Sequence, residues 1–407
     1  MHLSAKLYFF VCLIIVSSGG FSQPGSNNED DFRAMPSLQW KFSASAPIYS
    51  SPVADETTVY FGSLDSCFYA VDLQTGKMKW VVRTSAEIRS TALLANGFIY
   101  FISADGKLYC LDQSGKQTWS FNDGSEKKYD FADYHQSSPV LYRGNLYFGM
   151  GDGFFYAIDE STGKLQWKIK TDGPVHTVPV IENGMIYFGS FDGNVYAVSI
   201  EKRSIAWKFK TVGHQYFPRG EVQGNPVLSK TCVIIGARDY NVYAIDKNKG
   251  YCHWNKTYTK GWVLVNTMKD SLLYMLGADE RILACIDPES RKEIWKKNLE
   301  FLVFGKPVFT KSMLYAGTTM GKLHGIDLKT GEDIWTYTTD SYQKNRLNYL
   351  KQDDSYRDDI YSIIKSNEQF LDAEVEMGGI FSSPLISGRK ILFTSTDGSL
   401  YCLKAGD

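Results

Sequence analysis

Short runs of apolar and aromatic residues, such as Val59-Tyr-Phe-Gly62, Leu146-Tyr-Phe-Gly149 and Ile186-Tyr-Phe-Gly189, recur along this chain and are broken by turns rich in Asp and Gly. Runs this short, aromatic and β-branched, predict strands rather than helices. One unit reads as four strands. The first follows a Ser-Ser-Pro-Val pattern, as at Ser50-Ser-Pro-Val53, Ser137-Ser-Pro-Val140 and Ser382-Ser-Pro-Leu385. The second is the aromatic run, the third is Val195-Tyr-Ala-Val198 or its equivalent, and the fourth ends on a Trp. Between strands two and three stands Asp-Gly (105–106, 152–153, 192–193, 397–398), which supplies the positive φ angles of a two-residue hairpin. Between strands three and four stands Asp-x-x-Thr-Gly, as from Asp72 to Gly76, where Asp and Thr bond backbone N–H groups and Gly turns left-handed.

The unit repeats. Trp stands at Trp40, Trp80, Trp119, Trp167, Trp207, Trp254, Trp295 and Trp335, at intervals of 40, 39, 48, 40, 47, 41 and 40 residues. A repeat of this period means stacked supersecondary units, and four antiparallel strands repeated radially make a β-propeller blade. Eight blocks and eight Trp predict an all-β, eight-bladed β-propeller of four-stranded antiparallel blades; seven blades would follow only if one block were degenerate. The last block ends at Tyr401-Cys-Leu-Lys404 without its Trp strand, and 38–42, carrying Trp40, is that strand. The N-terminal strand is therefore expected to complete the last blade, which leaves no open sheet edge. The eight Trp are assigned a structural docking role.

The string Ala70-Val-Asp-Leu-Gln-Thr-Gly-Lys-Met-Lys-Trp80 resembles the tryptophan-docking motif of the pyrroloquinoline quinone (PQQ)-type propeller repeat, and 157–167 and, more loosely, 325–335 repeat it. The resemblance covers essentially the whole mature chain. It implies the fold but not one function, because the superfamily includes eight-bladed quinoprotein alcohol dehydrogenases and non-catalytic scaffolds, notably the propeller subunit of the outer-membrane β-barrel assembly machinery. In length and in its lack of extra domains this chain is more similar to the scaffolds.

Residues 1–22 read as a secretory signal, with Lys6, an apolar run over 7–16 and small residues Gly20 and Ser22 before Gln23. Cys12 lies in the apolar core without the small neighbours of a lipoprotein signal, so no lipid anchor is expected. Residues 23–34 read as a flexible polar leader, and 35–407 as one propeller. Export to the periplasm or outside the cell follows. A net charge of −1 gives no basic footprint for nucleic acid. Cys110, Cys285 and Cys402 take the small position of strand three, and Cys232 and Cys252 stand on separate strands of one blade, so no disulfide framework is expected.

Three insertions, 122–135, 212–222 and 336–380, all join strand four of one blade to strand one of the next. They emerge on one face of the disc, which makes that face the candidate working surface for a protein or peptide partner. In the largest, Ile360, Ile363, Ile364, Asn367 and Leu371 make a helical stripe, and Leu350 belongs to an earlier helix. That insertion is either a loop packed on its own blades or a docking element. Leu350, Ile360 and Ile364, with Tyr216 and Trp262 on neighbouring loops, are the candidate partner contacts.

Tyr49, Arg89, Gln136, His176, Gln223, Leu264, Phe304 and Phe381 stand at equivalent positions before strand one and would ring the central channel. Five consecutive blades contribute polar groups and three contribute apolar ones. Such a ring lines water or holds an amphipathic ligand or peptide.

A PQQ dehydrogenase needs a carboxylate-rich Ca²⁺ site and an Asp base. The ring positions carry no acid, and Asp130, Asp133 and Glu221 are scattered on insertions. The adjacent-cysteine pair and the haem motif of the family dehydrogenases have no counterpart in this sequence. No catalytic or metal-ligating residue is assigned. The first expectation is an exported, non-catalytic scaffold in envelope or outer-membrane protein assembly, a monomer or a subunit of a complex, with no cofactor. The alternative is a quinoprotein with PQQ and calcium.

Overall fold

The structure is a computed structural model that describes residues 31–130, 132–277 and 281–406, apart from the side chains of 264–266. The signal segment lies outside the described residues. Eight four-stranded antiparallel sheets follow one another in chain order. In blade one the strands are Val53–Ala54, Thr58–Gly62, Cys67–Asp72 and Met78–Arg83. Strands two and three are buried on both faces, and strand four alternates exposed and half-buried positions, as in Leu165–Lys170. Blade eight takes its fourth strand from the N-terminus: Ser37–Ser43 pairs with Ser399–Lys404, Trp40 opposite Cys402.

The repeat motifs hold blades to themselves and to each other. In Ser-Ser-Pro-Val the first Ser bridges strands one and two: Ser50 Oγ donates to Gly62 O at 2.7 Å and accepts from Gly62 N at 2.9 Å. The second Ser reaches the neighbouring blade: Ser138 Oγ accepts from Thr91 N, Ser383 Oγ from Lys306 N, and Ser51 Oγ from Ser383 N. Asp72 Oδ1 accepts from Gln74 N, Thr75 N and Thr75 Oγ1 at 2.7–3.1 Å, which fixes the turn that presents Gly76. Gly76 lies at φ +71°, and a Cβ there would sit 2.6 Å from the Trp40 ring. Trp40 Nε1 then donates to Leu73 O, so an indole of blade eight lies flat on the turn of blade one. Trp80, Trp207, Trp254 and Trp295 make the same bond to the next blade. Trp119 lies on Gly163.

Two expectations change. The Asp-Gly turns are not two-residue hairpins with both φ angles positive: Gly106, Gly153, Gly193 and Gly398 have positive φ and their Asp partners do not. The Asp instead accepts a hydrogen bond from the N–H two residues on and from the Tyr hydroxyl four residues on, as in Lys107 N and Tyr109 OH to Asp105. The same Asp–Tyr tie recurs at Asp65, Asp152, Asp192, Asp239 and Asp397.

The second change is at the closure. Trp335 of blade seven has no turn to dock on, because blade eight is where the chain begins and ends. Residues from the expected leader fill the gap: Trp335 Nε1 donates to Phe32 O at 2.5 Å, and Phe32 is 2% exposed against Tyr315. Asp31 accepts from Thr310 and Ser312, and Arg33 pairs with Asp327 at 2.9 Å.

The six described cysteines form no disulfide. Truncating the buried Phe32 ring leaves a cavity at the closure. Phe32→Ala is expected to lower the unfolding free energy by about 3 kcal/mol, seen as a lower urea midpoint. An unchanged midpoint would show that residues 31–33 do not hold the ring shut.

Candidate functional site

The channel mouth is filled by the chain itself. The described residues of the insertion 122–135 fold across it, and the ring residues grip it. On the polar side, Gln136 Oε1 accepts from the N–H groups of Arg89 and Ser90, and Arg89 Nη1 donates to Asp133 O at 2.8 Å. His176, 3% exposed, sits between two carboxylates: Nδ1 meets Asp133 at 2.9 Å and Nε2 meets Glu126 at 2.9 Å. Gln223 Nε2 donates to Ala132 O, and its Oε1 accepts from Arg238 Nε. Arg238, fully buried, forks onto both oxygens of Asp130. Its guanidinium lies over Trp262 at 4.5 Å and Phe191 at 5.0 Å.

On the apolar side, Tyr134 of the insertion packs against Phe304 and Phe381 at 5.0 Å each and stacks with Tyr49 at 6.1 Å. The two arcs of the ring thus receive one amphipathic segment with acids on one side and an aromatic ring on the other. The side chains of Tyr49, Arg89, Gln136, His176, Gln223, Phe304 and Phe381, expected to line water or hold an amphipathic ligand, meet the insertion or one another. The side chain of Leu264 lies outside the described residues. Glu126, Tyr129, Tyr134 and Arg238 went unassigned in the sequence. Nothing local marks Arg238.

Burial opposes charge on His176, but Glu126 and Asp133 outweigh it and raise its pKa to about 10. Burial also opposes charge on Asp133, yet His176 and the Tyr129 N–H hold its pKa below the ordinary value. His135, equally enclosed but without such pairing, is pushed down to about 4 and stays neutral.

The insertion before the last blade is partly helical, with Asp340–Asn345, Ile360–Ile363 and Asn367–Glu376. Tyr342, Leu350, Ala373 and Met377 pack on Phe301 and Met320 of the blades. Lys322 pairs with Glu300 and with Asp354 of the insertion. The single expected stripe from Ile360 to Leu371 is broken, because Ser366 caps a new helix: Gln369 N donates to Ser366 Oγ, and Gln369 Oε1 accepts from Lys365 N. These two bonds start the new helix at Asn367, and Ile364 before it is extended. Of the candidate partner contacts, Leu350 is 1% exposed and helps seat the insertion, while Ile360, 9% exposed, lies in a cavity wall. Ile364 lines a surface cavity of about 350 Å³. Tyr216 is 70% exposed on the 212–222 loop, and Trp262 is half-buried between Arg238 and Phe217.

A family profile described as outer membrane protein assembly factor BamB matches residues 36–153, 105–261 and 218–407. The chain belongs to this BamB family. Among solved structures, BamB from Moraxella catarrhalis is similar at TM-score 0.64 and 11% identity, over 91% of this chain and 98% of that one. A europium-containing methanol dehydrogenase is similar at TM-score 0.66 and 14% identity, over 90% and 93%. The quinohemoprotein alcohol dehydrogenase from Comamonas testosteroni is similar at TM-score 0.66 and 12% identity, over 91% and 76%. Likenesses at such identity show the fold. No curated protein matches the sequence. Among the described residues there is no group of His, Cys, Asp and Glu arranged to hold a metal, and no helix long and apolar enough to cross a membrane.

The His176 pairing gives this BamB-family chain a pH window. The folded pKa of His176 is raised, so its contribution is full below about 6.5 and declines as pH rises to about 10. That of Asp133 is lowered, so its contribution is full above about 3.8 and is lost as pH falls through the folded value. Protection of 122–135 relative to intrinsic exchange is expected to be greatest between about pH 3.8 and 6.5, and His176→Ala is expected to lower it most within that window. Equal protection at pH 5 and pH 10 would remove the ion-pair account.

Proposed function

We propose that this chain is an exported scaffold that binds a protein or peptide partner on its insertion-bearing face, as a subunit in envelope or outer-membrane protein assembly. One observation carries the reading. The three most exposed large apolar side chains among the described residues, Tyr361 at 88%, Val212 at 76% and Tyr216 at 70%, all stand on insertions of that face. Apolar groups held in water on a rigid ring suit contact with another macromolecule. The BamB family description, assembly factor, supports the same reading.

The dehydrogenase neighbours carry a second reading, a bound quinone with calcium. Its fit to the channel mouth is poor. Asp130 is engaged by Arg238, Asp133 and Glu126 by His176, and Glu221 accepts from Tyr129 OH. Tyr134, Phe304 and Phe381 occupy the space beside them. A divalent cation would have to displace internal cations, and a planar ring would have to displace Tyr134.

Photo-crosslinking in the native envelope tests the proposal. A benzophenone side chain placed at Tyr361 or at Tyr216 is expected to crosslink a partner, and one placed at exposed Thr162 on the opposite face is expected to give none. Crosslinking from Thr162 alone, or from no position, would overturn the assignment of the working face.

A further inference from the structure

The cavity of about 350 Å³ on the large insertion lies at the break between its last two helices. Its walls are Tyr356, Ile360, Ile364 and Phe370, and exposed Tyr361 stands at its edge. Two cations, Arg281 and Lys365, line it, with no acid among the described lining residues. Ser366 and Asn367 bring in the N-terminal end of the ten-residue helix Asn367–Glu376, which carries a partial positive charge. Of the described carboxylates nearby, Glu300 pairs with Lys322, Asp354 pairs with Lys322 and Arg346, and Glu368 in the helix's first turn bonds its own N–H and Ser366. An apolar cavity with a positive rim therefore sits on an insertion that is acidic overall, with nine acids against five bases over 340–376.

Arg281 adds an independent observation. It occupies the strand-two-to-three turn position that is left-handed in every blade, and five of the eight blades place Gly there: Gly106, Gly153, Gly193, Gly321 and Gly398. At φ +53° Arg281 adopts a conformation unfavourable for a residue with a Cβ. Its guanidinium is aimed by Glu300 O, to which Nη1 donates at 3.1 Å, and by the Tyr356 ring at 5.2 Å.

We propose that this cavity is a docking site for an acidic–aromatic peptide segment, with an aromatic side chain entering between Ile360, Ile364 and Phe370 and flanking carboxylates meeting Arg281, Lys365 and the helix start. Charge complementarity favours this occupant: an acidic segment gives Arg281 and Lys365 the carboxylate partner that no described residue supplies, and a basic one would be repelled. The inference rests on the scaffold reading and names the chemistry of one contact within it.

The probe is a fluorescein-labelled peptide carrying Asp-Phe-Asp in a Gly-Ser background, with Asn-Phe-Asn and Asp-Ala-Asp versions as controls, titrated by anisotropy against the full mature chain. The acidic–aromatic peptide is expected to bind at least about tenfold more tightly than either control, with affinity falling as salt rises. Arg281→Gly restores the residue most blades carry at this turn, so its thermal midpoint is expected to hold while the Asp-Phe-Asp peptide weakens to the level of Asn-Phe-Asn. Equal binding of all three peptides, or no saturation of any by about 1 mM, overturns the proposal. A crosslink that persists at Tyr361 while the peptides fail would leave the scaffold reading standing and remove only this ligand. Loss of both would remove the two together.

Discussion

The structure depends on an indole lying on the turn of the next blade. Trp40, Trp80, Trp119, Trp207 and Trp295 each lie against a left-handed Gly where a Cβ would come within 2.5–2.7 Å of the ring. The contact joins blade to blade at the outer rim, and the second Ser of the strand-one motif joins them near the axis. A disc tied at both radii is rigid. It can therefore carry long insertions without losing the register of its sheets. The weak point is the blade where the chain starts and ends. There the missing turn is replaced by Phe32, whose carbonyl receives the Trp335 indole.

Rigidity at the rim leaves the axis to be filled. Eight blades leave a channel, and the ring of residues around it has two chemistries. The insertion 122–135 matches both, with Asp130 and Asp133 toward Arg238 and His176, and Tyr134 toward Phe304 and Phe381. Buried ion pairs of this kind contribute little net stability against an apolar filling, yet breaking one partner is costly, so they fix a single seating of the segment. With the axis closed by the chain's own residues, the outward surface of the other two insertions is where exposed apolar side chains gather.

The large insertion divides its residues between these tasks. Leu350, Tyr342, Ala373 and Met377 seat it on Phe301 and on Met320, which stands in the blade-seven turn where most blades have Asp. Tyr361 and Ile363 stay in water, and Ile364 lines the cavity beside Arg281. Both a loop folded back on its blades and an exposed surface are therefore present in one segment, because its three short helices bury some side chains and present others.

Repeats determined the architecture from sequence alone. The Trp period, the Asp-x-x-Thr-Gly turns and the unpaired strand around Trp40 specified eight blades and the closure, because each of these is a local pattern whose partner is the next copy of the same pattern. The side on which the insertions emerge was equally legible, since strands alternate direction. The ring residues were legible as positions but not as partners. Arg89 pairs locally with Glu87 but also reaches Asp133 O, His176 and Gln223 lie tens of residues from the acids and carbonyl they bind, and Arg238 lies 108 residues from Asp130. Only the closed ring brings them together. The turn chemistry was half legible: Gly supplied the left-handed φ, but the Asp-to-Tyr bond needed strand three in place. The split helix and its cavity were decided by competition between Ser366 capping and the apolar stripe, a balance that tertiary packing settles because it alone decides which apolar side chains are buried.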